Sequence, residues 1–353
     1  MAIDRDFWSQ RRVLLTGHTG FKGAWLSLWL QSLGARVTGL APPGAPTSPS
    51  LYELAGVGQG MIERSVDVRD REAVLDAVKA ERPEVVLHLA AQPLVRRSLL
   101  DPVGTYEVNV MGTVNLLDAI RLAGEEVRAV VVVTSDKCYE NTGLKRPFAE
   151  NDPLGGSDPY SSSKGCAELV TTAYRRSFFS SPDAPRVASA RAGNVIGGGD
   201  WGEDRLIPDI IRAVVSGQPI ALRNPEAVRP WQHVLNPLAG YLLLAQRLWH
   251  SPEAARGWNF GPPAADALTV RTIVEILRER WGSEAFAWEL DGTPSAPEAA
   301  HLALDSSAAE EQLGWRAGWD LEQALERIVQ WHRAHLHGEN MRRITFDQIT
   351  EFP

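Results

Sequence analysis

A tyrosine and a lysine four residues apart, Tyr160 and Lys164, form the pattern in this chain that most directly suggests catalysis. Residues at this spacing share one face of a helix. An ammonium beside a phenol favours the phenolate, so the pair predicts a pKa for Tyr160 below its usual value of about 10. Tyr160 could then remove a proton from a substrate hydroxyl near neutral pH. The alternative is an ordinary surface pair at helical spacing.

A cluster of hydroxyl and ionisable side chains precedes this pair. Thr134 and Ser135 are followed directly by Asp136 and Lys137. A carboxylic acid beside an amine can supply the two protonation states that an elimination reaction needs. Lysine acts as a base only when its pKa is depressed, so Lys137 could instead stabilise an enolate electrostatically. A solvated ion pair at the end of a strand is the alternative interpretation.

A glycine-rich segment near the amino terminus has the spacing GxxGxxG and lies between a predicted strand at 12–16 and a predicted helix at 20–33. Glycines at such a turn let the backbone approach a pyrophosphate, and the N–H groups at a helix start bind phosphate. A glycine turn that binds nothing is the alternative. The segment predicts dinucleotide contacts from Gly17, Thr19, Gly20, Phe21, Lys22 and Gly23.

The end of the second predicted strand bears on the choice of cofactor. Dinucleotide folds usually carry an acid there for the adenosine ribose, or an arginine nearby for a 2′-phosphate. Residues 39–42 (GLAP) contain neither, so the ribose must be held otherwise, and the missing arginine favours NAD over NADP. Further cofactor contacts are expected after the third and fourth strands, at Asp67, Val68, Leu89, Ala90 and Ala91.

Short apolar runs alternate with longer amphipathic stretches along the first 196 residues. This alternation predicts an α/β fold with a Rossmann-like, doubly wound parallel sheet. Beyond Gly197 the sequence is richer in Gly, Pro and Trp, and its helices are shorter. We expect residues 1–196 to form a dinucleotide-binding domain and residues 197–353 to form mainly a smaller α/β substrate-binding lobe that returns a strand to the sheet. The predicted strands are 12–16, 35–40, 61–65, 84–89, 128–134 and 186–191, and the predicted helices are 20–33, 71–80, 103–122 and 160–179.

Composition narrows the range of partners. The 353 residues include 36 Lys+Arg against 44 Asp+Glu and contain no long basic run, which argues against nucleic acid as a ligand. No stretch approaches the roughly 18 apolar residues that a membrane span requires. The two cysteines, Cys138 and Cys166, lack the spacing of metal ligands and suit a reducing compartment. We therefore expect a cytoplasmic protein without a metal site.

The order of these motifs resembles the extended short-chain dehydrogenase/reductase superfamily over nearly the whole chain. The resemblance implies a bound nicotinamide dinucleotide, with Tyr160 as base, Lys164 as modulator and a hydroxyl from Thr134 or Ser135 completing the site. It also implies a homo-oligomer in which the amphipathic helices at 103–122 and 160–179 form the interface of a dimer. The sequence does not separate a dimer from a tetramer.

A narrower resemblance rests on six blocks in order: HTGFKG, HLAAQPLVRRS, the Ser-Asp-Lys of 135–137, DPYSSSK, RAGNVIGGGDW and RPWQHV. Together they resemble the CDP-glucose 4,6-dehydratases. Related nucleotide-sugar dehydratases carry a Glu where this chain has Lys137. The resemblance implies NAD as cofactor, CDP-glucose as substrate, and Asp136 as the acid for the departing 6-hydroxyl. The preference for cytosine rests on this resemblance alone.

The same resemblance implies a set of substrate contacts in the later segments. Asn194 is expected at the phosphates, Arg229 at the pyrophosphate and Leu206 near the nucleobase, with Val195 beside the nicotinamide. A buried structural role is the open alternative for His233. Further expected substrate-binding residues are Gln92, Arg205 and His233.

Two other functions remain open from the sequence. One is a nucleotide-sugar epimerase or reductase on the same scaffold. Such enzymes need no acid directed at a 6-hydroxyl, so Asp136 favours dehydration. The other is a non-catalytic regulator that senses a dinucleotide.

Overall fold

The fold is built on a parallel β-sheet whose strands come from both halves of the sequence. A computed structural model of the chain describes residues 3–143, 146–282, 284, 286–291 and 302–353. The strands are, in chain order, β1 (Arg12–Thr16), β2 (Arg36–Ala41), β3 (Ile62–Ser65), β4 (Val85–His88), β5 (Ala129–Val133), β6 (Arg186–Ala192), β7 (Val195–Ile196), β8 (Ile220–Leu222), β9 (Val228–Pro230), β10 (Gln232–His233), β11 (Gly257–Phe260), β12 (Ala267–Thr269) and β13 (Trp288–Leu290).

Within the described residues, the main sheet has seven strands in the order β11, β6, β5, β4, β1, β2 and β3, and all of its neighbouring strands run parallel. The predicted Rossmann-like α/β class is therefore confirmed. The six strands expected from the sequence agree with β1 to β6 to within one residue at each end. The remaining strands form three short pairs, β10 with β7, β12 with β9 and β13 with β8.

The direction of the strand order reverses at β1. Strands β2 and β3 follow on one side of β1, whereas β4 and its successors lie on the other side. Open α/β sheets bind ligands beyond the carboxyl ends of their strands at such a point. The glycine-rich turn directly follows β1, and Leu89, Ala90 and Ala91 directly follow β4, so both segments border this crevice.

Helices cover both faces of the sheet. No helix among the described residues is both long enough and apolar enough to cross a lipid bilayer. The α-helices are α1 (Arg5–Trp8), α2 (Phe21–Ser32), α3 (Leu51–Leu54), α4 (Arg71–Glu81), α5 (Val95–Leu100), α6 (Pro102–Tyr106), α7 (Gly112–Ala123), α8 (Pro159–Ser177), α9 (Leu206–Ser216), α10 (Leu235–His250), α11 (Val270–Trp281), α12 (Ser307–Leu313), α13 (Leu321–Leu336) and α14 (Met341–Glu351).

The predicted single helix at 103–122 is wrong in one respect, because α6 and α7 are separated by a π-helical stretch at Glu107–Met111. Asn109 lies in this stretch, and its side chain bonds both the N–H and the carbonyl of Gln92, at 2.8 and 3.1 Å. Its amide nitrogen also donates to Ser163 Oγ at 2.8 Å. Helical periodicity does not reveal a π turn, which here serves a tertiary contact.

Alternate residues of the strands face the two layers of helices. Val13 and Leu15 of β1 belong to a buried cluster shared with α2 and α10, whereas Leu14 belongs to one shared with α4 and α7. All three side chains are at most 1% exposed. This alternation suits a sheet that is covered on both faces.

The chain beyond Gly197 contributes to two cores. Helix α10 packs against β5 and β6, and β11 joins the sheet beside β6. Helices α9, α11 and α13 instead share a separate buried cluster with β8, which includes Ile207, Leu222, Ile273 and Leu325. The later segments therefore have an apolar core that is separate from the clusters on the two faces of the sheet.

Candidate active site

The glycine-rich turn between β1 and α2 lies close to the end of β4. Gly17 has a φ of +76°, and its N–H donates to the carbonyl of Leu40 at 2.8 Å. A Cβ atom on Gly17 would lie 2.8 Å from Cα of Ala90, and one on Gly23 would lie 2.0 Å from the Gly17 carbonyl oxygen. Both the left-handed backbone and the absence of side chains are therefore needed at this turn.

The start of α2 has the properties of an anion site. Gly20 is its N-cap, and no side chain caps the first turn. The first N–H groups of a helix lack helical partners and carry partial positive charge. Thr19, Phe21 and Lys22 lie at this helix start, as the sequence predicts for residues around a pyrophosphate.

A buried chain of hydrogen bonds holds the ends of β1 and β4 together. Thr16 Oγ1 accepts from the N–H groups of Leu89 and Ala90 at 3.2 and 3.1 Å, so its own proton goes to Nδ1 of His88 at 2.7 Å. His88 Nε2 then donates to Thr113 Oγ1 at 3.2 Å. Burial lowers the pKa of His88 to about 3, so its imidazole is neutral. The chain orders the loop that follows β4.

The loop after β3 is held from two sides. The Asp67 carboxylate accepts hydrogen bonds from the N–H and the guanidinium of Arg69, and the side-chain bond in particular lowers the pKa of Asp67. Val68 is buried, and its carbonyl accepts from the amide of Asn115 at 3.0 Å. Because Arg69 already engages the carboxylate, an adenine contact by Asp67 stays a prediction.

Helix α8 presents the tyrosine and lysine on one buried face. Pro159 occupies its first turn, and the Asp158 side chain caps it by accepting from the N–H of Ser161 at 2.9 Å. Tyr160 and Lys164 are 8% and 6% exposed. The Lys164 ammonium donates to the carbonyl of Val133 at 3.4 Å, which brings the helix to the carboxyl end of β5.

The expected lowering of the Tyr160 pKa is wrong for this structure. Burial raises the pKa of Tyr160 to about 12, and the nearby Asp136 charge adds to the rise. A hydrogen bond from Ser135 and the charge of Arg205 oppose it. Burial also lowers the pKa of Lys164 to about 8. Loss of water around both groups favours their neutral forms, an effect that helical spacing does not reveal.

Asp136 and Lys137 lie in a short 3-10 turn, Asp136–Cys138, beside Tyr160. Asp136 is 2% exposed, and its Oδ1 accepts from Ser135 Oγ at 2.9 Å. Its Oδ2 has no hydrogen-bond partner in the part of the chain that the structure describes. Burial raises the pKa of Asp136, although the Lys137 charge opposes the rise. Asp136 can therefore hold a proton at a higher pH than an ordinary aspartic acid.

The two candidate hydroxyls have different positions. The Ser135 hydroxyl is next to Tyr160 and Asp136, within the cluster. Thr134 Oγ1 instead donates to Oε1 of Glu168 at 2.5 Å. The Thr134 hydroxyl is thus directed at Glu168 and not at Tyr160 or Asp136. Ser135 is the better candidate for the hydroxyl that completes the site.

Lys22 connects the glycine-rich turn to this cluster. Its ammonium donates to the Tyr241 hydroxyl at 3.4 Å. Burial lowers the pKa of Lys22 to about 7, the charges of Lys164 and Arg205 lower it further, and Asp136 opposes them. Lys22 is therefore near the ionisable groups as well as at the start of α2.

The predicted substrate residues of the later segments come from several short elements. Val195 begins β7, and the Asn194 carbonyl accepts from the N–H of Gln232 at 3.3 Å. Leu206 begins α9, and Arg229 lies in β9. Arg205 pairs with Asp200 at 2.8 Å, and its charge acts on Tyr160. Among these residues, Arg205 is thus the one with a described influence on the catalytic cluster.

Two predicted substrate-binding residues, His233 and Gln92, make contacts within the protein itself. His233 is fully buried, its ring contacts Trp25 and Trp319, and its Nδ1 accepts from the N–H of Leu235. These contacts favour the structural role, but His233 Nε2 has no hydrogen-bond partner among the described residues, so its contact with substrate stays a prediction. Gln92 uses its amide group within its own loop, where it bonds Leu94 and Thr105.

Sequence patterns did not identify a charged bridge between the two halves of the chain. Asp204 Oδ1 accepts from Arg96, in α5, at 3.0 Å and from Arg223, after β8, at 2.6 Å. Asp204 also has a φ of +57°, unusual for a residue with a side chain. Arg96 and Arg223 are far from Asp204 in the sequence, so no local pattern indicates that their side chains contact it.

Comparison with known proteins agrees with this architecture. A family model described as the NAD dependent epimerase/dehydratase family matches residues 13–255. The chain belongs to this family. It is 50% identical to CDP-glucose 4,6-dehydratase of Salmonella typhimurium, over 99% of this chain and 98% of the relative. It is 31% identical to dTDP-glucose 4,6-dehydratase of Streptomyces griseus, over 92% and 94% of the two chains.

A solved structure supports the fold and the cofactor. UDP-glucose 4-epimerase of Thermus thermophilus, in complex with NAD, matches with a TM-score of 0.78 at 26% identity, over 91% of this chain and 99% of that chain. Membership of the NAD dependent epimerase/dehydratase family identifies NAD as the cofactor. The side-chain-free turn at Gly17 and Gly23 and the uncapped start of α2 fit a dinucleotide pyrophosphate.

Substitution of Gly17 tests this assignment. We expect Gly17→Ala to weaken NAD binding on the order of tenfold or more, equivalent to about 1.4 kcal/mol, because its Cβ separates the turn from Ala90. Gly44→Ala is the matched control: Gly44 has a φ of +85°, but nothing described lies within 4 Å of its Cβ position. Isothermal titration calorimetry with NAD measures both. Equal affinities for the two variants would contradict the proposed pyrophosphate site.

Proposed function

We propose that this protein converts CDP-glucose to CDP-4-keto-6-deoxyglucose and water. The observation that carries the proposal is the buried Asp136 carboxyl beside Tyr160, in a family whose cofactor is NAD. A pair made of a tyrosine and a lysine is sufficient for oxidation at a sugar hydroxyl. An additional acid with a raised pKa is what loss of a hydroxyl requires, since hydroxide is a poor leaving group until it is protonated.

The choice of CDP-glucose rests on similarity along the complete chain. The relative from Salmonella typhimurium that is 50% identical is a CDP-glucose 4,6-dehydratase, and the alignment covers nearly all of both proteins. Lys137, next to Asp136, occupies the position where related nucleotide-sugar dehydratases carry a Glu. The Ser-Asp-Lys run that contains it is part of the resemblance to the CDP-glucose 4,6-dehydratases. We infer that Asn194, Leu206, Arg205 and Arg229 bind the nucleoside diphosphate, since planar guanidinium groups suit phosphate oxygens.

The first chemical step uses Tyr160 as the base for the 4-hydroxyl of the glucose unit. NAD held by the turn at Gly17 and Gly23 would supply the acceptor for the hydride of carbon 4 and return that hydride to carbon 6, so no external oxidant or reductant would be consumed. Tyr160, in its phenolate form, takes the proton of the 4-hydroxyl. The Ser135 hydroxyl and the charge of Arg205 stabilise that phenolate against the effect of burial. We assign the same role to the Lys164 ammonium, which lies one turn further along α8.

The elimination uses the turn after β5. A ketone at carbon 4 makes the hydrogen on carbon 5 acidic. Lys137 removes this proton as an amine or stabilises the resulting enolate as an ammonium. Asp136 donates a proton to the 6-hydroxyl, which leaves as water. Carbon 5 regains a proton when carbon 6 is reduced, so the balance is one CDP-glucose to one CDP-4-keto-6-deoxyglucose and one water.

The two cysteines support a reducing compartment, because Cys138 and Cys166 are both free thiols. We therefore place the reaction in the cytoplasm. A 4-keto-6-deoxysugar on a nucleotide suits later reactions that build deoxysugars for surface polysaccharides such as the lipopolysaccharide O-antigen.

Incubation with CDP-, dTDP-, UDP- and GDP-glucose tests the function directly. We expect mass spectrometry to detect loss of one water from CDP-glucose and far less from the others.

Tyr160→Phe should lower turnover by about 10²–10⁴-fold with little change in CDP-glucose binding, because it removes only the ionisable oxygen. Tyr174→Phe, on the same helix, is the control and should retain activity. An epimerised or reduced product without loss of water would refute the proposal.

Replacement of Asp136 separates oxidation from elimination. We expect Asp136→Asn to form a 4-keto sugar that keeps its 6-oxygen, and to lower formation of the 6-deoxy product by about 10²-fold or more, because the amide is no acid. Trapping with deuterated borohydride and mass spectrometry distinguishes the two products. Asp76→Asn, exposed on α4, is the control. Unchanged dehydration in Asp136→Asn would assign the acid elsewhere.

We also propose a homodimer formed through the helices of the predicted interface, α6, α7 and α8, together with the neighbouring α5. Six large apolar side chains of this region are 49–87% exposed: Leu99, Leu100, Val103, Met111, Leu122 and Leu169. An exposed apolar surface of this kind is typical of an interface. Helix α8 also carries Tyr160 and Lys164, so the interface would support the catalytic helix from outside.

Substitution of Leu100 tests the dimer. We expect Leu100→Glu to dissociate it, because the interface would have to bury an unpaired charge. Sedimentation velocity measures the mass in solution. Val215→Glu, at an exposed position of α9, is the control and should leave the assembly intact. A wild-type protein that sediments as a monomer would contradict the proposed dimer.

A further inference from the structure

A buried ion pair lies directly behind the catalytic side chains. Glu168 follows Lys164 by one turn on α8, and Arg191 lies in β6. Arg191 Nη2 and Glu168 Oε2 are 2.7 Å apart, with side chains 6% and 1% exposed. The pair therefore joins the helix that carries Tyr160 and Lys164 to the central sheet.

The Glu168 carboxylate has donors on both oxygens. Oε1 accepts from Thr134 Oγ1 at 2.5 Å, and Oε2 accepts from Ser189 Oγ at 2.6 Å as well as from Arg191. Burial opposes the charged form, but the Arg191 charge and these donors together lower the pKa of Glu168. Glu168 is therefore an anion in the interior.

Arg191 extends the network to the far end of the catalytic turn. Its Nη1 donates to the Tyr139 hydroxyl at 2.6 Å and to the carbonyl of Glu150 at 3.0 Å. The Tyr139 hydroxyl in turn donates to Asn259 in β11 at 2.7 Å. Thr134 immediately precedes the segment 135–138, and Tyr139 immediately follows it. One ion pair thus holds both ends of the segment that contains Asp136 and Lys137.

Stability alone is a weak reason for such a pair. Removing two charges from water is costly, and well-packed apolar residues often replace a buried ion pair with no loss of stability. An interior ion pair with directional bonds instead favours one relative arrangement of the elements that it joins. Here those elements are α8, the end of β5 and the turn after it.

We propose that Glu168 and Arg191 are positioning residues, which hold Tyr160 and Lys164 on α8 in register with Ser135, Asp136 and Lys137. This inference rests on the proposed function, because it assigns the register between the oxidation and elimination groups. Misplacement of reacting groups by about 1 Å can lower a rate by about 10²-fold.

Glu168 also supplies negative charge close to Lys164. The titratable groups that act on Lys164 or feel its charge come from four elements: His88 of β4, Lys22 of α2, Cys138 of the turn, and Glu168 of α8 itself. His88 is neutral, and Lys22 repels the ammonium. Removal of the Glu168 charge should therefore let Lys164 lose its proton at a lower pH. In the proposed mechanism the Lys164 ammonium favours the Tyr160 phenolate, so Tyr160 would then be harder to ionise.

Three variants separate register, charge and stability. Thr134→Val removes the bond to Glu168 and keeps the ion pair. Glu168→Gln removes the charge, and Glu168→Gln/Arg191→Met removes both charges, so that no buried guanidinium lacks a partner. Thr171→Val is the matched control, because Thr171 is buried on α8 and bonds only the carbonyl of Ala167 among the described contacts.

Steady-state kinetics with CDP-glucose, urea unfolding and tyrosinate difference spectra against Tyr160→Phe are measured for each variant. We expect Glu168→Gln to lower kcat by about 10–10²-fold, with KM within about threefold, and to move the alkaline limb of kcat to lower pH. Thr134→Val should lower kcat by a smaller factor without moving that limb. The double variant should regain stability but not kcat, and its Tyr160 phenol should titrate at a higher pH than in the wild type.

Two results would overturn the inference. In the first, Glu168→Gln and the double variant retain the kcat and pH profile of Thr171→Val and differ from it only in unfolding midpoint. In the second, kcat recovers together with stability in the double variant, as a purely structural pair requires. If Glu168→Gln does not fold, Thr134→Val and the double variant still decide. Failure of wild-type protein to dehydrate CDP-glucose would instead refute the proposed function, independently of the variants.

Discussion

The reversal of strand order at β1 is the constraint on which the site depends. Because β2 and β4 flank β1 on opposite sides, the loops that leave β1 and β4 diverge and open a crevice at the carboxyl end of the sheet. The hydrogen bonds that Thr16 Oγ1 accepts from the N–H groups of Leu89 and Ala90 and shares with His88 hold the two strand ends together beneath that crevice. The tight approach of Gly17 to Ala90 follows from the same geometry, so a side chain at Gly17 would change the crevice itself.

Burial changes the pKa values of the ionisable groups in the candidate active site. It raises the pKa of Tyr160 and Asp136 and lowers the pKa of Lys164 and Lys22, so Asp136 and the two lysines approach one another in proton affinity, whereas Tyr160 and Lys164 move apart. Proton transfer between groups of similar affinity costs little free energy. A cluster of this kind suits a reaction that needs a base, an acid and an electrostatic stabiliser within one site.

Much of the fold could be predicted from the sequence because strands and helices in a parallel sheet have distinct apolar patterns. The predicted strand at 12–16 coincides with β1, and the run at 128–134 differs from β5 by one residue at each end. The helix at 103–122 could not be predicted correctly, because the π-helical stretch serves the bonds of Asn109 to Gln92 and Ser163. The sequence motif that contains His233 resembles a substrate-binding segment but gives no sign that the ring packs between Trp25 and Trp319.

The sequence by itself determined the class of fold, the glycine turn for the dinucleotide, and the identity of the ionisable groups, since each depends on residue types at short spacing. Tertiary structure alone decided that Thr134 faces Glu168 while Ser135 faces Tyr160, that burial outweighs the neighbouring charges in setting the Tyr160 pKa, and that Arg191 reaches Tyr139. The physical reason is that desolvation and long-range hydrogen bonds depend on which segments pack together. A motif of neighbouring residues indicates neither the extent of desolvation nor the long-range hydrogen bonds.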